Sequence, residues 1–288
     1  MKNSLFIIFL LFLNLSFGQS SIVTAKSPED LSASKEVSEK SNKLEYSKIS
    51  GDDVLWSKVV YEHIDLNEKL NFPLLFPLND ELYKDGRKSL WKIIKEGVEN
   101  GDIKRVFASR NDNFKLEDAI TGKDSIQNSY GSKFVKGEDD IPQEFAGSND
   151  IQGYNIKGVW YFDKKHSELK YKLIGLQPLG KDLQNEDTKE PTPYFWIWYD
   201  SIRELLSQNL VFNDRNNNSS ISFDDLLVNR RFNSYIYKYD NVYGDRKIEE
   251  YIVQRDGESD ESYRIRFILE SERIKKEILD FENDMWGY

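Results

Sequence analysis

The sequence predicts an α+β fold: an antiparallel meander sheet over about residues 154–199, several amphipathic helices packed on it, and an amphipathic C-terminal helix. Three stretches carry the sheet. In YNIKGVWYF, Tyr154, Ile156, Trp160 and Phe162 point to one side and Asn155, Lys157, Tyr161 and Asp163 to the other, the period-2 alternation of a half-buried strand. After the polar turn DKKHSE, Leu169, Tyr171 and Leu173 alternate with Lys170 and Lys172, which predicts a hairpin partner with one face in water. PYFWIWYD then sets Tyr194, Trp196 and Trp198 against Phe195, Ile197 and Tyr199. Both of its faces need cover, so it belongs inside the sheet.

Taken from its start, the chain opens with a stretch that reads as a cleavable export signal. MKNSLFIIFLLFLNLSFGQ has one lysine, an apolar run from Leu5 to Leu13, and small residues Ser16 and Gly18 where a signal peptidase reads. The run is too short to cross roughly 30 Å of hydrocarbon, so residues 1–18 are expected to be removed. Residues 19–51 are polar and rich in Ser, Lys and Glu, the composition of a disordered arm.

Order is expected from Asp52 onward, in a domain over 52–255 followed by a C-terminal helix and tail over 256–288. Asp52 and Asp53 suit a helix cap, and in VLWSKVVYEHIDL the sets Leu55, Val59, His63 and Trp56, Val60, Ile64 recur every four residues. The spacing predicts a helix; the β-branched Val59, Val60 and Ile64 favour a strand instead. Pro73 and Pro77 impose an extended apolar connector. From about Gly86 to Glu99, Leu90, Trp91, Ile94 and Val98 face one side of a helix that Asn100-Gly101 stops. IKRVFAS reads as a short strand, and 110–150 as irregular insertions around a small helix near Leu116 to Ile120.

Beyond the meander, Asp200 is placed to cap SIRELLSQNLVF, and Ser222 with Asp225 to open a helix through SFDDLLVNRRFNSYIYK. From Ser262 to Phe281, Phe267, Ile274, Ile278 and Phe281 form one stripe. That helix needs a surface to lie on. No repeat of fixed period is present, and no coiled-coil heptads are sustained over several turns.

Composition narrows the chemistry. With no cysteine, disulfides, thiolate metal sites, cysteine nucleophiles and lipidation on cysteine are excluded. His63 and His166, the 2 histidines, have no ligand spacing for zinc. A net charge of −10 makes nucleic acid a poor partner. Asp139 with Asp140 and Asp224 with Asp225 are adjacent pairs, which seldom converge on one bond, and no serine sits in a glycine-flanked elbow. The sequence therefore assigns no catalytic residue and no cofactor.

One loop has metal-ligand spacing. Asp214, Asn216, Asn218, Ser220 and Asp225 follow the oxygen-ligand order of a calcium loop. Ser219 stands where glycine makes the turn, and Asp225 replaces the longer Glu; an Asn/Ser-rich linker ending in a helix cap accounts for the same residues. Trp160, Trp196 and Trp198 suit either sugar stacking or core packing. Candidate partner-contact residues are Arg230, Arg231, Phe232, Tyr235 and Tyr243, with Ile274, Ile278, Phe281 and Trp286 on the C-terminal helix, because Arg and aromatics dominate protein interfaces.

Several of these segments, in order, resemble the GldN/PorN gliding-motility and type 9 secretion proteins. They are DDVLWSKVVYEHIDLNEKLNFPLLFP, LWKIIKEGVENGDIKRVFA, GYNIKGVWYFDKKHSELKYKLIGLQPL, PYFWIWYDSIRELL, SFDDLLVNRRFNSYIYKYDNVYGDRKIEEY and ESERIKKEILDFENDMWGY. The resemblance rests on their collinearity from Asp52 to the C-terminus. It implies a periplasmic, non-enzymatic subunit that self-associates in a ring with an outer-membrane lipoprotein of the GldK/PorK type and contacts the periplasmic part of a GldM/PorM-type motor protein. It implies no membrane span of the subunit's own. A freestanding periplasmic carbohydrate- or calcium-binding module is the alternative, and the exposure of the three tryptophans discriminates the two.

Overall fold

The computed structural model describes residues 27, 50–79, 88–132, 143–185, 187–188, 190–211, 221–242 and 244–286. In chain order the elements are β1 (Val54–Asp65), α1 (Phe72–Leu75), α2 (Leu90–Asn100), β2 (Arg105–Ala108), β3 (Ala119–Thr121), α3 (Lys123–Gln127), β4 (Ile151–Asp163) and β5 (Glu168–Gly180). They continue with β6 (Thr192–Pro193), β7 (Phe195–Trp198), α4 (Tyr199–Ser207), β8 (Leu210–Val211), β9 (Ile221–Ser222), α5 (Phe223–Val228), β10 (Tyr235–Tyr239), α6 (Ile248–Tyr251) and α7 (Asp260–Trp286). The fold is α+β. An eight-stranded antiparallel sheet has the order β10-β1-β4-β5-β7-β2-β3, with β6 paired to β5, and β8 with β9 makes a separate hairpin.

The expected meander β4-β5-β7 is the centre of this sheet, and four more strands extend it on both sides. β1 is the largest departure, because its four-residue recurrence predicts a helix. In the fold, β1 pairs along nearly its whole length with β4, Val60 opposite Gly158 and Ile64 opposite Tyr154, and also with β10. Those partners lie far away in sequence, so a local period cannot register them, and the β-branched residues follow the pairing. Asp52 and Asp53 sit in a 3-10 turn before the strand. The second departure is similar. The Ser222–Asp225 capping box forms, but the helix it opens ends at Val228. Arg230 takes a left-handed φ of 51°, and YIYKY becomes edge strand β10.

Smaller corrections are local. Leu116–Asp118 is a 3-10 turn leading into β3, where a small helix is expected. Asp200 lies in the first turn of α4, which starts at Tyr199; its carboxylate still meets the positive end of the helix dipole. α2 begins on Ser89, whose Oγ accepts from the Lys92 N–H at 3.0 Å, and stops at Gly101 with φ 82°, a backbone that favours glycine.

One face of the sheet carries the helices. Ile64, Tyr154, Ile156, Leu173, Leu176, Phe195 and Ile197 meet Trp91 and Ile94 of α2, Ile202 and Leu206 of α4, and Phe223 and Leu227 of α5 in one core cluster. Further along the same face Val60 and Ile236 meet Ile248 of α6 and Ile274 and Ile278 of α7. Burying an isoleucine completely is worth about 1.5–3 kcal/mol, so Ile274 and Ile278 tie α7 firmly to the sheet. α7 also finishes the sheet edge. The outward Ile236 N–H donates to the buried Ser271 Oγ at 2.7 Å, and Lys238 bridges Lys247.

The opposite face of β4 and β5, expected to be wet, is largely covered. Tyr61, Val159, Tyr161, Ile174, Trp196 and Trp198 are buried on it with Phe107 and Phe114, and Lys157 and Lys172 are buried there too. Part of the cover is the strap of residues 109–118 between β2 and β3, which has no helical or strand period to announce it.

Candidate functional site

Of the predicted contact residues, Arg230, Phe232, Tyr235, Ile274, Ile278 and Phe281 lie along the seam where β10 and α7 meet the sheet. Arg230 forms a double hydrogen bond to buried Glu62, Nη1 to Oε1 at 2.9 Å and Nη2 to Oε2 at 2.6 Å, and Ser234 Oγ donates to the same carboxylate. The guanidinium lies over Tyr171 at 4.2 Å and near Trp160 and Phe232. Burial works against its charge, but Tyr171 and Glu62 outweigh it and raise the Arg230 pKa. Phe232 is buried. Tyr235 packs edge-on against Phe267 at 5.6 Å, with its hydroxyl pushed up to about 12, mainly by burial. Phe281 stacks on Trp56 at 4.5 Å.

These contacts correct the expected interface. Arg230, Phe232, Ile274 and Ile278 are spent inside the chain, because the C-terminal helix finds its surface on its own sheet. Arg231 remains exposed. Tyr243 lies outside the described residues, and Trp286 is the last residue of α7.

The loop with calcium spacing divides likewise. Asp214, Asn216, Asn218 and Ser220 lie outside the described residues. Asp225 is occupied, accepting from the Ser222 N–H while its own N–H donates to Ser222 Oγ. Among the described residues no group of three or more His, Asp or Glu is placed to hold a metal ion. Trp196 and Trp198 are each 2% exposed and Trp160 is half-buried, so none lines an open aromatic platform. Trp196 Nε1 donates to the Ser109 carbonyl at 3.1 Å.

Two polar clusters escape sequence reading. On the strap side, Lys157 Nζ donates to the Asp112 carbonyl and Lys238 Nζ to its carboxylate, both at 2.8 Å. Burial brings the Lys157 ammonium down to about 8. Under the helices, Arg203 meets the buried Asp224 through Nε and Nη2, both at 3.0 Å, and Tyr199 OH adds 2.9 Å. Each joins residues far apart in sequence, so no motif marks it.

Among the described residues, two groups of exposed apolar side chains stand out. Leu70, Phe72, Phe76 and Leu78 are exposed around the 3-10 turn Lys69–Asn71 and α1, a helical path where an extended connector is expected, because Pro73 fits the first turn of a helix; Ile265, Ile268, Leu269 and Leu279 are exposed on the outer side of α7. Exposed apolar clusters of this kind mark interaction surfaces. The described helices include none long and apolar enough to cross a membrane. What the geometry offers is surface for association.

No curated protein matches the chain. Residues 49–287 match the family described as "Gliding motility associated protein GldN", an interval that takes in every strand and helix from β1 to α7. The chain therefore belongs to the GldN family of gliding-motility associated proteins.

Proposed function

We propose that the protein is a non-enzymatic structural subunit of the type 9 secretion and gliding machinery. It is exported to the periplasm, joins a ring with an outer-membrane lipoprotein of the GldK/PorK type, and contacts a GldM/PorM-type motor protein. The observation that carries this reading is the family match over 49–287. The fold supports it in two ways. Trp196 and Trp198 are buried and Trp160 is half-buried, which favours core packing over the aromatic platform of a sugar-binding module. The exposed connector Leu70–Leu78 and the outer side of α7 leave apolar surface for protein partners.

The test is a crosslinked pull-down of the tagged protein from cell envelopes, followed by electron microscopy of the eluate. Recovery in large rings together with a lipoprotein is the expected result. Recovery as a lone monomer, under conditions that keep other envelope complexes intact, overturns the proposal.

A further inference from the structure

The outer side of α7 has an order that its inner side does not need. Ile265, Leu269, Glu272, Lys276, Leu279 and Asn283 are all exposed and follow one another at steps of four, three, four, three and four residues. The three-four spacing is that of a heptad seam, with apolar side chains at Ile265, Leu269 and Leu279 and polar ones at Glu272, Lys276 and Asn283, so no apolar heptad marks it in the sequence. On a helix of 3.6 residues per turn, the seam lies opposite the buried stripe of Ser271, Ile274 and Ile278.

The seam is also its own complement. Counted from Ile274, its members stand nine, five and two residues away on both sides: Ile265 and Asn283, Leu269 and Leu279, Glu272 and Lys276. Laid antiparallel on a second α7 about that centre, Leu269 meets Leu279 of the other copy, twice. Glu272 meets the other copy's Lys276, also twice, and the ends place isoleucine beside asparagine. Parallel pairing in register would set Glu272 on Glu272 and Lys276 on Lys276, which like charges oppose.

We propose that α7 is a self-association surface, on which two copies of this chain pair antiparallel about a two-fold axis at Ile274. The flanking charges are compatible with it. Arg273 comes nearest its own mate, and it is already neutralised by Glu270 at 2.8 Å and Glu277 at 3.2 Å. Lys275 turns toward the sheet, donating to the Ser234 carbonyl, and pairs with Glu272 at 2.9 Å. A single helix pair is at the low end of specific interfaces, about 1,000 Å², so the dimer is a concentration-dependent one. Such a contact is isologous and closes at two copies, whereas a ring needs a heterologous one. The proposal is therefore separate from ring assembly and from the function proposed above.

The experiment is sedimentation equilibrium on the exported full chain, with E272K, K276E and the double variant. Each single swap is expected to weaken dimerisation at least ~tenfold by opposing like charges. E272K/K276E restores it, and an equimolar mixture of the two single variants forms heterodimers. Thermal melts of all four proteins check that the fold is kept. Because the chain has no cysteine, mixed L269C and L279C chains provide a second readout, and they crosslink to each other more readily than either does to itself. A chain that stays monomeric to submillimolar concentration, or a dimer that the single swaps leave unchanged, overturns the proposal.

Discussion

The two faces of the sheet are buried by different means. On one, α2, α4, α5 and α7 lay apolar stripes across the strands, and the charges they enclose are paired side chain to side chain, Arg203 with Asp224 and Arg230 with Glu62. On the other, the irregular strap 109–118 inserts Phe114 edge-on against Phe107 and Trp198, at 5.2 and 5.0 Å, while Lys157 holds the strap by its backbone. Regular elements bury area by repetition, whereas the strap buries one large side chain, Phe114, and is otherwise held by hydrogen bonds at Ser109 and Asp112. The first arrangement spreads its stability over many residues and the second concentrates it.

That contrast is open to direct tests. The largest loss is expected from Asp224→Ala, which leaves the buried Arg203 guanidinium without its double partner. Breaking a buried pair from one side costs about 3–5 kcal/mol, read by urea unfolding. Phe114→Ala removes the strap's anchor and is expected to cost about 3 kcal/mol, near the lower limit for a buried aromatic. It should also shift tryptophan emission to the red as Trp196 and Trp198 meet water; an unchanged spectrum would show that the strap does not depend on its anchor.

Gly175→Ala probes the same anchor from the strand side. A Cβ there falls 2.4 Å from Phe114 Cζ, so overpacking of about 1–3 kcal/mol is expected. The smallest effect concerns pH. The Lys157 ammonium is lowered to about 8 in the fold, so between pH 8 and its unfolded value near 10.4 the unfolded chain binds more protons. Stability from this group therefore rises with pH across that window, by at most about 1.4 kcal/mol per pH unit. The difference between wild type and Lys157→Met, followed by urea unfolding from pH 8 to 9.5, should show that slope. A parallel pair of curves would remove Lys157 from the account.

The same contrast decides what could be read from the sequence. β4, β5, β7, α2 and α7 were legible because each presents an apolar face at a fixed period. β1 presents valines and aromatics that satisfy two periods at once, and only its pairing with β4 and β10 settles the choice. The strap has no period, so the cover over Lys157 was invisible and that face read as wet. For the candidate site, the apolar stripe of α7 was legible, but not which surface it covers. Ile274 and Ile278 are as apolar as any interface residue, and only the fold shows them meeting Val60 and Ile236.

The hydrogen bond from the Ile236 N–H to Ser271 Oγ has a consequence for the order in which the chain is made. β10 emerges well before α7, so until Ser271 has left the ribosome the edge of the growing sheet keeps the Ile236 N–H facing outward without its partner. Open edges of this kind recruit strands from neighbouring chains. A message truncated before Ser271 should therefore yield a product that aggregates, whereas one ending just beyond Phe281 leaves the edge closed. The last helix acts as a selvedge, the woven border that keeps a cloth from fraying into the next one.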